Sequence, residues 1–152
     1  MNKEIIKSYG KINLSLDVKG VRQDGYHMVD TVMQKISLCD EVSVSWEPSD
    51  SRSVEISLGS NKPFLPKDER NLAYKAALLM ADRFHGKQGG GRLEIYLEKH
   101  IPVSAGLAGG SGNAAAVMTA LNRIWKTGLN TRDLCRLGAV SYTHLDVYKR
   151  QS

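Results

Sequence analysis

The sequence predicts an α+β fold, a mainly antiparallel sheet with helices on one face. Three observations carry this: four segments alternate apolar and polar residues and a fifth is a partner strand across a turn, two segments repeat apolar residues every 3.6 positions, and the strands come first with helices following. "KINLSLDVKG" alternates through Ile12, Leu14, Leu16 and Val18, and "HMVDTVMQKISL" is its partner strand across the "VRQDGYH" connection. "EVSVSW" (Val42, Val44, Trp46) and "SVEISL" (Val54, Ile56, Leu58) follow as half-buried strands. "NLAYKAALLMADRFHG" then changes period, with Leu72, Ala76, Leu79, Met80 and Phe84 on one helical face and Gly86 at the expected stop. "HGKQGGGR" reads as a flexible connector inside one domain, because the strand after it, "RLEIYLEK" (Leu93, Ile95, Leu97), needs partners from the first half. A second helix is predicted to begin near Ser111 to Asn113, to carry Val117, Leu121, Ile124 and Trp125 on one face, and to stop near Gly128. A short third follows Thr131.

The 152 residues suit one domain, and 41% hydrophobic with 24% charged residues excludes a disordered or fibrous chain. No run approaches the roughly 18 uncharged apolar residues of a bilayer span. "MNKEIIKSYGKINLSLDVKG" lacks the apolar core and cleavage site of a signal peptide, so a cytoplasmic location and no membrane partner are expected. Cys39 and Cys135 are too few for a disulfide framework and too far apart for a zinc pair, and are expected as small core fillers. A net charge of +5 suits an anionic ligand or simply a solvated surface, since no Lys/Arg run exceeds two residues.

The strongest chemical signal is "IPVSAGLAGGSGNAAAVMTALNRIW". Gly106, Gly109, Gly110 and Gly112 fall within seven positions at the mouth of a helix, where orphan N–H donors and the positive end of the helix dipole form an anion cradle. Pro102 ends the preceding strand, and Ser111 and Asn113 are candidate N-caps. A plain tight turn needs one or two glycines. The G-x-x-x-x-G-K-[ST] pattern fails because no lysine follows these glycines. "GSGNAA" matches a dinucleotide fingerprint, but a helix and "TGLNTRD" follow where a second strand with an acidic tip is required.

"PVSAGLAGGSGNAAA" resembles the P-x-x-x-G-L-G/A-G-G-S-x-D/N-A-A motif of the GHMP kinase superfamily, which phosphorylates small molecules. "YGKINLSLDVKGVRQDGYHMVDTVMQKISLCDEV" is similar to the opening of the branch of that superfamily whose substrate is 4-diphosphocytidyl-2-C-methyl-D-erythritol, an intermediate of non-mevalonate isoprenoid synthesis. The resemblance covers roughly residues 5 to 139. It implies the superfamily's N-terminal ATP-binding domain, with ATP and Mg²⁺ as cofactors and the 2-hydroxyl of that small molecule as phosphoryl acceptor. It assigns ATP binding to Pro102, Val103, Ser104, Ala105, Gly106, Leu107, Ala108, Gly109, Gly110, Ser111 and Gly112. Asn71, a helix cap, is expected to touch the adenosine half.

The resemblance makes Lys11 catalytic: its ammonium would stand beside the reacting hydroxyl and stabilise charge developing on the phosphoryl group. Taken alone it reads as a solvated strand lysine. Asn13, two residues on, shares its strand face and is assigned to substrate binding. Tyr26 and His27 resemble the branch's cytidine-recognition pair, the phenol stacking on the pyrimidine and the imidazole bonding its edge; the alternative is a sealed turn beside Asp24-Gly25. Gln34 and Asp40 fit the pattern as structural residues. His85 and His100 lack the other ligands of a metal site, so no protein metal centre is expected. Mg²⁺ should arrive on the ATP phosphates, with the Ser111 hydroxyl a candidate ligand.

After Gly138 the resemblance breaks: His144 stands where the superfamily's G-x-D-x-P-F aspartate belongs, and Asp146 comes two places late without the proline. "VSYTHLDVYKRQ" looks like a translated adapter or cloning scar rather than a polar tail. This divides the chain into a domain at 1–139 and a non-family tail at 140–152, and makes an inactive fragment of an enzyme about twice as long the expectation. The rival readings are another GHMP kinase, a dinucleotide-binding module, and an RNA-binding module, the last because these kinases share topology with a ribosomal-protein domain. No aromatic-plus-basic strand pattern favours RNA, so no nucleic-acid partner is expected.

Overall fold

The computed structural model describes residues 2–21, 27–103 and 109–141, with side chains except at 12–21, 27–33, 85–88 and 139–141. Strands β1 (Asn2–Val21), β2 (His27–Pro48), β3 (Val54–Ser60) and β4 (Gly91–Glu98) and helices α1 (Leu72–Gln88), α2 (Gly109–Ile124) and α3 (Thr131–Ser141) occur in the order β1-β2-β3-α1-β4-α2-α3. The sheet order is β1-β2-β4-β3. The β1–β2 and β2–β4 pairs are antiparallel; β3–β4 is parallel, and α1 supplies the crossover that a parallel pair needs.

Four strands replace the five expected, because "HMVDTVMQKISL" and "EVSVSW" form the single strand β2. Its β4 ladder runs from Glu41 to Pro48, whereas its β1 ladder continues to Val21 opposite His27. Residues 11–21 and 27–35 are therefore the far part of a hairpin that extends past the β2–β4 ladder.

One sheet face makes the core. Val42, Val44, Trp46, Leu58, Leu93, Ile95 and Leu97 are buried at alternating positions, and the intervening Arg92, Glu94 and Tyr96 are exposed. Helices α1 and α2 cover the inward face. Along α1 the fully buried residues are Ala73, Ala76, Ala77 and Met80, with Leu72, Leu79 and Phe84 only half-buried, so small side chains form its contact face. Along α2, Asn113 to Met118, Ala120 and Leu121 are buried, and Trp125 just beyond the helix stacks edge-on to Trp46 at 5.3 Å. Cys39 and Cys135 are half-buried at the margin of the core, not fillers within it.

The helix ends also differ from expectation. α1 runs through Gly86 to Gln88, and Gly89, at φ 70°, supplies the left-handed exit. α2 is already helical at Gly109, before Ser111 and Asn113, so those two lie inside the helix and are not its N-caps. It ends before Gly128: Lys126 adopts φ 52°, and Thr127 N–H donates to Asn122 O at 3.2 Å, the six-residue closure of a Schellman end. A left-handed lysine carries strain of about 1 kcal/mol, partly offset by its charge at a helix C-terminus. Lys126→Gly is expected to raise stability by about 0.5 kcal/mol in urea unfolding. α3 opens on a reciprocal cap, Asp133 N–H to Asn130 Oδ1 at 2.9 Å and Asn130 N–H to Asp133 Oδ2 at 3.2 Å.

The glycines of "HGKQGGGR" are not slack. Gly90 and Gly91 are buried against the 49–53 turn, with Ser49 N–H donating to Gly90 O and Gly91 N–H to Ser53 O, both at 3.1 Å. A Cβ on Gly90 would lie 2.0 Å from Ser51 O, a backbone atom that cannot swing aside. Gly90→Ala should therefore cost about 2 kcal/mol, read as a lowered urea midpoint at unchanged slope.

Candidate phosphate-binding site

The segment from Lys99 to Asn113 joins the end of β4 to the first turn of α2, and one buried carboxylate fastens both ends. Asp40 Oδ1 accepts the backbone N–H of His100 at 2.7 Å and of Ile101 at 2.9 Å. Its Oδ2 accepts Lys99 Nζ at 2.6 Å and Asn113 Nδ2 at 3.1 Å, and Lys99 Nζ also donates to Asn113 Oδ1 at 2.6 Å. Asp40, Lys99 and Asn113 are 0%, 5% and 2% exposed, so this triad is stable only because every charge is matched. Burial pushes the Asp40 carboxyl up, but the bonds from Ile101, Lys99, His100 and Asn113 outweigh it and hold the group below the usual carboxylate range.

The small residues at the start of α2 let it approach its neighbours. A Cβ on Gly109 would stand 3.3 Å from Ile101 Cγ2, and one on Gly112 would stand 2.6 Å from the Ser8 hydroxyl of β1. A Cβ on Gly110 would meet Leu72 Cδ1 at 3.7 Å, so the first turns of α1 and α2 lie side by side. Asn71 caps α1: its Oδ1 accepts Ala73 N–H at 2.9 Å, and its carbonyl accepts Lys75 N–H at 3.0 Å. α2 has no acidic residue of its own in its first turn to offset the positive end of its dipole.

Between β1 and this helix start lies an open cleft of about 190 Å³ lined by Ser8, Tyr9, Lys11, Lys35, Gly112 and Thr119 among others. Lys11, half-buried, is directly opposite Lys35 in the β1–β2 ladder. Burial first, and then the charge of Lys35, lower the Lys11 pKa.

The sequence-predicted residues divide accordingly. Lys11 and Gly112 share the cleft, Gly109, Gly110 and Ser111 form the same helical turn, and Asn71 precedes the Leu72 that meets Gly110. Pro102 and Val103 follow Ile101 as exposed residues. Asn13 is opposite Met33 in the ladder; His27 is opposite Val21, ten residues along β1 from Lys11, roughly 33 Å of strand contour. Tyr26, the run from Ser104 through Ala105, Gly106 and Leu107 to Ala108, and residues 142–152 lie outside the described residues. Among the described residues no group of three or more His, Cys, Asp or Glu could hold a metal ion. Sequence reasoning missed Lys99, Lys35 and Ser8. Lys99 had a signal, since it continues the inward parity of Leu93, Ile95 and Leu97.

Fold and site together define an α+β domain with a small-residue helix start fastened to its sheet and facing a lysine-lined cleft. The GHMP kinases N terminal domain family matches residues 71–148, and the chain belongs to that family. It is 50% identical over 133 residues to the 4-diphosphocytidyl-2-C-methyl-D-erythritol kinase of Clostridium tetani (strain Massachusetts / E88), covering 88% of this chain and 45% of that enzyme. The kinase of the same name from Shouchella clausii (strain KSM-K16) is 46% identical over 134 residues, 88% of this chain and 43% of that protein. The chain thus spans about half the length of the curated relatives it matches. Among solved structures, a 4-(cytidine 5'-diphospho)-2C-methyl-D-erythritol kinase superimposes with TM-score 0.70 at 33% identity, over 96% of this chain and 48% of that one. A mevalonate kinase superimposes with TM-score 0.67 at 16% identity, a likeness of fold alone.

Proposed function

We propose that this chain provides the ATP-binding half of an enzyme that transfers the γ-phosphoryl group of ATP to the 2-hydroxyl of 4-diphosphocytidyl-2-C-methyl-D-erythritol. The observation that carries this reading is the cleft shared by the Lys11 ammonium and the Gly112 turn of α2. The electropositive backbone at a helix start suits the ATP phosphates, and Lys11 suits the transferring group and the attacking oxygen. A Cβ on Gly112 would collide with the Ser8 hydroxyl and one on Gly109 would crowd Ile101, which suits a cradle made of backbone. Asn71, beside the same turns, is assigned to the adenosine half. Asn13, Tyr26 and His27 are assigned to the substrate's sugar and cytosine, on the resemblance of the "DGYH" segment. Mg²⁺ would accompany ATP, held mainly by its phosphates and by water, with Ser111 as the candidate protein ligand. When bound it would supply charge neutralisation at the phosphates.

Calorimetric titration of the chain with ATP and with NAD tests the nucleotide part. Saturable ATP binding without NAD binding is expected; equal binding of both, or neither, would overturn it. Tryptophan emission is a poor reporter here. Trp125 follows the last turn of the 16-residue α2, about 24 Å from the helix start, and Trp46 packs against it.

A further inference from the structure

We propose that Lys35 is a second anion-binding residue of the cleft, paired with Lys11 to hold a diphosphate unit against the first turn of α2; this rests on the phosphate reading of the site. Like charges directly opposite one another in an antiparallel ladder repel. Lys11 and Lys35 are nevertheless partners, and they come into register at a local irregularity: Tyr9 pairs with Cys39 and Lys11 with Lys35, so Ile36, Ser37 and Leu38 of β2 stand against Gly10 alone. Gly10 accommodates the crowding, since a Cβ there would be 3.1 Å from Ile36 Cδ1. The lysine pairing is thus built by an interruption of the regular ladder.

The charge so gathered is not cancelled within the cleft. Three lysines and, among the described residues, no carboxylate line it. Lys7, the third, has Glu41 directly opposite. Lys35 Nζ instead sits 4.7 Å over the Tyr9 ring, a partner that orients an ammonium without neutralising it. Gly112 forms part of the cleft wall, at the electropositive end of α2. One ammonium and a helix start suffice for a single phosphoryl group. Two opposed ammoniums suit the denser charge of a diphosphate, as found both in ATP and in a nucleoside diphosphate.

The probes are inorganic pyrophosphate, ATP and CDP, titrated calorimetrically into the 152-residue chain and its Lys35→Gln and Lys35→Arg variants, each checked for an unchanged melting curve. Pyrophosphate affinity should fall at least about tenfold in Lys35→Gln and stay within about threefold in Lys35→Arg. A parallel loss for ATP but not CDP assigns the diphosphate to the nucleotide cofactor; a loss for CDP but not ATP assigns it to the acceptor substrate; either supports the pairing. Unchanged pyrophosphate affinity in Lys35→Gln overturns the proposal and leaves the phosphate site standing, and so does an equal loss in both variants. A parent chain that binds neither pyrophosphate nor ATP brings down the phosphate reading and the Lys35 assignment together.

Discussion

Asp40→Ala is expected to destabilise the chain by about 3–5 kcal/mol, a large part of the roughly 5–15 kcal/mol that holds an ordinary domain together. The loss does not come from the ion pair alone. Removing the carboxylate leaves the Lys99 ammonium in the core, still donating to Asn113 Oδ1 but without its counter-charge, and it strips the His100 and Ile101 amides of their shared acceptor. Adding Lys99→Met should recover much of the loss, because an uncompensated buried charge costs more than a missing pair. Urea unfolding of the single and double variants measures both. If the double variant is as unstable as Asp40→Ala, the ammonium is not the source.

The same carboxylate fixes a pH dependence. Its folded pKa lies below the ordinary value of 3.8, so its contribution is complete above that pH and disappears as the pH falls from 3.8 through the folded pKa. Asp40→Asn should flatten the stability profile in that acid window.

Asp40 also marks the limit of what alternation reveals. "EVSVSW" and "RLEIYLEK" give the correct buried faces because their inward residues are apolar. In the stretch "ISLCDEVSV" an inward aspartate interrupts the pattern and reads as a break between strands, yet β2 runs straight through it. The inward Lys99 ends the β4 pattern for the same reason. Each polar residue makes sense only beside the other, and 59 positions separate them in sequence. The helix start is legible because glycine, alanine and serine leave a backbone signature that needs no distant partner. The Lys11–Lys35 pairing is not, since its register depends on the irregularity around Gly10. Gly86 misleads at the end of α1 because Gly89 carries the left-handed exit, whereas near the end of α2 both Lys126 and Gly128 are left-handed and the helix closes on the first of them.

Lys11→Met should separate function from stability. In phosphoryl transfer assayed in the full-length form that the relatives represent, kcat is expected to fall roughly 10²–10³-fold, the loss typical of one preorganised donor aimed at transition-state charge. The variant of the present chain should be no less stable than its parent. Burial and the facing Lys35 lower the Lys11 pKa, which means that the folded state disfavours its charge. Parent stability should therefore increase as the pH rises through the folded Lys11 pKa toward 10.5, and the methionine variant should lose that rise. A half-buried lysine kept at a cost to the fold is what an anion-binding site requires, because the repulsion between Lys11 and Lys35 is relieved when a phosphate comes between them. Should Lys11→Met unfold the chain and leave transfer by the surviving fraction unaltered, Lys11 supports the strand and not the reaction.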